Sequence, residues 1–160
     1  MSSTDLALMA HLLRRAGFGA TRGDLESYAS RSYEQVVDDL LHPERFPDID
    51  EDVLNRYYSG LNSWEPISVY SGAWIYRMIN THRPLQEKMA LFWHHVFATG
   101  NAKVEGPGEM RAQIGMFRER GMGNYRDLLL ELGKNPAMIR WLDNHDNHKR
   151  APNENWGREL

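Results

Sequence analysis

Between Pro84 and Val96, apolar side chains fall at Leu85, Met89, Phe92 and Val96, a spacing of i, i+4, i+7, i+11 that an α-helix turns to one side. The same period governs most of the chain, and no stretch of strand length alternates apolar with polar residues. Leu8, Leu12 and Ala16 share a face of a first helix, capped by Thr4 and ended by Gly17. Thr21 with Asp24, and Ser32 with Gln35, have the spacing of capping boxes, and Pro43 stops the second of these helices. A Pro-rich acidic connector over 43–52 precedes a weak helix around 53–61. Trp74, Ile75, Met78 and Ile79 predict a buried face on a helix over 68–80.

Beyond the helix that Pro84 opens, residues 100–108 read as a flexible loop. Met110, Ile114 and Phe117 mark the next helix, which Gly121 ends. Asn124 with Asp127 caps another, and Asn135-Pro136 places a cap residue and a first-turn proline before a short one. The expectation is an all-α fold, an irregular multi-helix bundle of about seven to nine helices in one domain over 1–160.

Composition limits function more than fold. Hydrophobic residues at 41% and charged residues at 26% suit a globular chain. A net charge of −3, with scattered arginines, argues against a nucleic-acid binder. No apolar run approaches the roughly 18 residues a membrane span requires. The N-terminus lacks the features of a signal peptide, which points to the cytoplasm by default. With no cysteine, neither disulfides nor thiol chemistry is available.

The polar terminus is the densest source of chemistry. From Asp143 to Glu159 the chain carries Asp143, Asn144, Asp146, Asn147, Asn153, Glu154, Asn155 and Glu159, with His145, His148, Lys149 and Arg158 among them. Such a concentration of donors and acceptors is expensive to order unless the groups bond one another, the backbone or a ligand. Pro152 to Leu160 reads as the opening of a helix, with Pro152 near its first position and Trp156 and Leu160 beginning an apolar stripe. That stripe has no capped end, so the 160 residues read as the N-terminal portion of a longer protein.

Three segments carry a family resemblance: HLLRRAGFGAT (His11 to Thr21), PLQEKMALFWHHVFATGNAKV (Pro84 to Val104) and GNYRDLLLELGKNPAMIRWLDNHDNHKRAPNENWGREL (Gly123 to Leu160). Together they resemble the bacterial family catalogued as domain of unknown function 1800, whose hallmark is similar to LDN-x-x-N-x-K-x-x-PNEN-x-x-REL. Leu142, Asp143, Asn144, Asn147, Lys149, Pro152, Asn153, Glu154, Asn155, Arg158, Glu159 and Leu160 fit it. The resemblance implies a mostly helical protein, longer than this chain and often exported. It also implies that a sulfatase- or alkaline-phosphatase-like partner is encoded beside it. It supplies no substrate and no catalytic residue. Family sequences often read F-W-H-N-H-F where this chain has Phe92, Trp93, His94, His95, Val96 and Phe97. Gly157 stands where the family usually has Ala, at about 1 kcal/mol of helix propensity.

His94 and His95 diverge by about 100° on a helix and cannot share one ion. Glu87 lies on the face of His94, but about 10 Å away along the axis. His94 is therefore a packing histidine with a hydrogen bond, a solvated one, or a metal ligand completed from elsewhere. In the calcium-loop register that starts at Asp143, Asn147 and Glu154 fit, while His145 and His148 replace an oxygen ligand and the glycine. An EF-hand is thereby disfavoured. A differently built site for a divalent cation, drawing on His94, Asp143 and Glu154, stays open.

The bland reading of the terminus is structural. Asn144 and Asn147 pin a loop, Asn153 and Glu154 satisfy the last helix, and Lys149 and Arg158 neutralise Asp143 and Glu154. The functional reading turns Asp143, Asn144, Asn147, Lys149, Asn153, Glu154, Asn155 and Arg158 into a cleft that binds a hydroxyl-rich or amide ligand. His94 and Asn101 would line that cleft, with Lys103 nearby. Glu154, Glu159 and His94 are then the acid/base candidates, although five positions separate the two glutamates and turn them about 140° apart. Ligand binding or metal-assisted hydrolysis competes with a non-catalytic scaffold in which the loop is a clasp. Whether the protein is an enzyme stays open at this level.

Overall fold

The structure is a computed structural model that describes residues 3–61 and 66–159, with the side chains of Ser3 and Thr4 left out. The expected Thr4 cap, Trp64 and Leu160 lie outside the described residues. Eleven α-helices, eight of them with seven or more residues, account for the regular structure, and no strand forms among the described residues. In chain order they are α1 (Ser3–Ala16), α2 (Arg22–Ala29), α3 (Tyr33–Leu41), α4 (Glu51–Tyr57), α5 (Ile67–Asn80) and α6 (Pro84–Val96). Then follow α7 (Asn101–Val104), α8 (Pro107–Arg120), α9 (Tyr125–Leu132), α10 (Pro136–Trp141) and α11 (Glu154–Glu159). Short 3-10 turns at Pro43–Arg45 and Asn144–Asp146 complete the set. The all-α expectation holds.

Local capping chemistry decides where helices start. Thr21 and Ser32 form reciprocal capping boxes with Asp24 and Gln35. The Asn124 side chain accepts from the Arg126 and Asp127 amides, and Asn135 accepts from those of Ala137 and Met138. Two boundaries differ from the sequence expectation. The segment 100–108 is not a loop throughout, because Asn101–Val104 closes one helical turn and Pro107 starts α8. Pro152 precedes α11 rather than entering it; Asn153 accepts from the Trp156 amide at 3.3 Å and acts as the cap.

The buried faces also differ from those the apolar spacing suggested. In α1 the buried residues are Met9, Leu13 and Ala16, and Leu8 is exposed. In α5 they are Tyr70, Ala73 and Arg77, whereas Ile75 and Ile79 face outward. In α6 they are Glu87 and Ala90, with Phe92 and Val96 exposed. Arg77 and Glu87 go inside because each meets an opposite charge there, so the helix turns its charged side inward and leaves aliphatic side chains out.

The broadest helix pairing joins α6 to α8. Ala90, Phe117, Leu128, Leu132 and Met138 from α6, α8, α9 and α10 form the central core, flanked by Trp93, Trp141 and Trp156. Phe117 is fully buried, worth about 1.5–3 kcal/mol by area removed from water. Gly121, just past α8, must lack a side chain, because a Cβ there would sit 2.7 Å from Trp93 Cδ1. That close approach lets Trp93 Nε1 donate to the Gly121 carbonyl at 2.7 Å. A second core joins Met9, Ala16, Val36 and Leu40, and a third joins Leu54, Leu61, Tyr70 and Ala73.

Candidate functional site

The third core and the α6–α8 pair do not close on one another. A cavity of about 790 Å³ lies between them, lined from α4, α5, the end of α6, α7 and α8. Its apolar wall includes Leu54, Leu61, Tyr70 and Trp74, and its polar wall includes Glu51, Arg77, His94, Thr99, Asn101, Glu109, Arg111 and Arg118.

Beneath the polar wall runs a network of ion pairs that spans the chain. Glu87 is 1% exposed, accepts from Trp74 Nε1 at 3.0 Å and is gripped by Arg118 through Nε and Nη2. Arg77 donates to Asp48 at 2.9 Å and to Glu51. Arg111 reaches Glu51 at 3.3 Å and the Leu61 carbonyl at 3.1 Å. Burial alone would raise the Asp48 carboxyl, yet the Ile49 amide and the Arg77 and Arg83 guanidiniums bring it below its usual value. Burial, reinforced by the nearby Arg118, lowers Arg77, against the pull of Asp48 and Glu87. Removing one partner of the buried Glu87–Arg118 pair would leave an uncompensated charge, whereas Asp48 and Glu51 stay about half exposed.

His94 and Asn101 stand apart from that network. The His94 ring packs edge-to-face on Trp74 at 5.6 Å, and burial holds its pKa below the ordinary 6.5, which keeps the imidazole neutral. Its Nδ1 is buried with no hydrogen-bond partner among the described residues, and the same holds for Asn101 Oδ1. The packing role expected of His94 is therefore seen, without a hydrogen bond at Nδ1. Glu109 Oε2 also lacks a well-aligned hydrogen bond, although Arg140 Nε approaches it to 3.1 Å. Thr99, on the wall, donates to Oε1 of Gln113 behind it at 2.5 Å, while Gln113 Nε2 has no partner among the described residues.

The polar terminus lies elsewhere: none of its residues lines the cavity. Its groups bond one another and the backbone. Asn147 Nδ2 donates to Asn144 Oδ1 at 2.9 Å, and Asn147 Oδ1 accepts the Asn153 amide at 3.0 Å. Asn153 Nδ2 donates to the Leu142 carbonyl at 2.5 Å. Asp143 is paired with Lys103 at 2.7 Å, not with Lys149, which is exposed. Arg158 takes Glu154 at 3.4 Å and Glu159 at 3.5 Å and donates to Asn155 at 2.6 Å. The two glutamates thus share one guanidinium. His94, Asp143 and Glu154 are not brought together, and no set of three acidic or histidine side chains suited to a metal ion occurs among the described residues.

The ion-pair network is what the sequence reading missed. Its only local signals were a glutamate inside the α6 apolar pattern and the acidic connector over 43–52. Both find their partners 26 to 60 positions away.

Comparison with known protein families gives a match. The profile of the family described as Protein of unknown function (DUF1800) covers residues 11–160. No curated protein and no solved structure matches the chain. With all but the first ten residues inside that match, the chain belongs to the DUF1800 family.

Proposed function

We propose that the protein binds a small molecule in the cavity between α5, α6 and α8, and that the terminus over 143–159 is a clasp rather than part of the site. The observation that carries this reading is a pair of buried polar atoms on residues that line the cavity, His94 Nδ1 and Asn101 Oδ1, which have no hydrogen-bond partner among the described residues. Leaving such atoms unmatched costs about 1–3 kcal/mol each, a penalty that folded proteins otherwise avoid and that a ligand bonding to them would remove. The volume is that of a site for a compound of drug-like size, with an apolar wall and a few convergent polar groups. The clasp reading rests on the bonds of Asn144, Asn147 and Asn153, all made within the terminus or to Leu142.

Crystals soaked in 2-propanol test the site. The account expects the alcohol inside the cavity, its hydroxyl within hydrogen-bond distance of His94 Nδ1 or Asn101 Oδ1. Density on the outer surface alone, with the cavity empty, would refute it.

A second reading, docking of a partner protein, is favoured by one observation. Phe92 and Val96 on α6 and Tyr125 on α9 are each about half exposed, and Trp93 contacts both Phe92 and Tyr125. Co-purification with a sulfatase- or phosphatase-like product encoded nearby, abolished by Val96→Asp, would support it; co-purification unaffected by that change would count against this face.

A further inference from the structure

Resting on the cavity reading, we infer that the ligand is uncharged: a compound with amide or hydroxyl groups on an apolar body. Charge bookkeeping around the wall gives the reason. Each guanidinium that faces the cavity already holds carboxylates, Arg77 with Asp48 and Glu51, Arg118 with Glu87, and Arg111 with Glu51. An anionic ligand would have to displace carboxylates fixed in place by several bonds. A cation fares no better, because Glu51 is shared by two arginines and Arg140 lies 3.1 Å from Glu109.

Apart from Glu109 Oε2, which Arg140 neutralises at 3.1 Å, the polar atoms that lack a hydrogen bond on residues of this wall are dipolar. Asn101 Oδ1 is an acceptor and calls for a donor on the ligand. His94 Nδ1 belongs to a neutral ring and donates or accepts according to its tautomer. An amide or a hydroxyl matches either atom once its side chain turns to expose it, and brings no charge to a wall whose charges are already paired. Trp74, against which His94 packs, offers the ligand body an aromatic surface.

Benzamide, benzoate and benzamidine share one shape and differ in charge, so they separate the possibilities. Each is titrated into the protein while the NMR signals of the His94 ring and the Asn101 side-chain amide are followed. Benzamide is expected to give saturable shifts at both residues in the millimolar range, about tenfold tighter than either charged analogue. Asn101→Asp, nearly identical in shape, should weaken benzamide and turn the preference toward benzamidine. Equal or tighter binding of benzoate or benzamidine at the same signals in the unaltered protein overturns the inference and leaves the cavity reading standing. Failure of all three probes to move either signal overturns both.

Discussion

Lys103 Nζ, on the single turn of α7, lies 2.7 Å from Asp143 Oδ2 and 2.6 Å from the Trp141 carbonyl oxygen. This is the direct bridge between the polar terminus and the element that presents Asn101 to the cavity. Asp143 makes the contact from a left-handed backbone conformation, φ 56°, where aspartate is tolerated and a branched side chain is not. Asp143→Asn keeps that tolerance and loses only an exposed ion pair, so it should lower stability by less than about 1 kcal/mol in urea unfolding. Asp143→Val should lower it by a further ~1–2 kcal/mol. Equal losses would contradict the left-handed assignment.

Asn153 joins three parts of the terminus, bonding the Leu142 carbonyl, Asn147 and the Trp156 amide. Trp156 packs against the central core, so the cap also orients a core side chain. Asn153→Ala is expected to cost about 1–3 kcal/mol by urea unfolding. Glu154→Ala, at an exposed side chain, should cost less than about 1 kcal/mol. A larger loss at Glu154 than at Asn153 would contradict the clasp.

Glu87 is the buried acid that holds Arg118 and Trp74 in place. Glu87→Ala strands Arg118 near Arg77 and should cost about 3–5 kcal/mol. The pair Glu87→Met with Arg118→Met should recover much of that loss, because it buries apolar groups where no charge is left alone. If the double variant is as unstable as the single one, the ion pair is not the reason for the loss.

His94 gives stability a defined pH dependence. Burial places its folded-state pKa below the ordinary 6.5, so as the pH falls below that value the unfolded chain takes up a proton that the folded protein refuses. Its contribution is complete above 6.5 and declines as the pH drops from there toward the folded value. Unfolding free energies measured between about pH 7.5 and pH 5 should show a steeper decline for the native protein than for His94→Gln. Identical slopes would show that burial does not perturb this ring.

Helix starts were legible in the sequence because caps are local. Thr21, Ser32, Asn124 and Asn135 each act on amides two or three residues away. Helix faces were less legible. Apolar spacing put Phe92 and Val96 inside α6, yet Glu87 is buried there because Arg118, 31 positions later, neutralises it. The candidate site divided along the same line. His94 and Asn101 line the cavity, but Asn144, Asn147 and Asn153 of the terminus bond one another and the Leu142 carbonyl, which residue type alone does not specify.

The most direct test is the equilibrium unfolding free energy of His94→Phe, measured by urea titration at neutral pH. The substitution keeps a ring against Trp74 and removes the buried, unsatisfied Nδ1. If the cavity wall is held ready for a ligand at the expense of stability, the variant should be more stable by about 0.5–1.5 kcal/mol. A loss of about 1–3 kcal/mol, of the size expected for Asn153→Ala, would mean that His94 is bonded within the protein and is structural, contradicting the account.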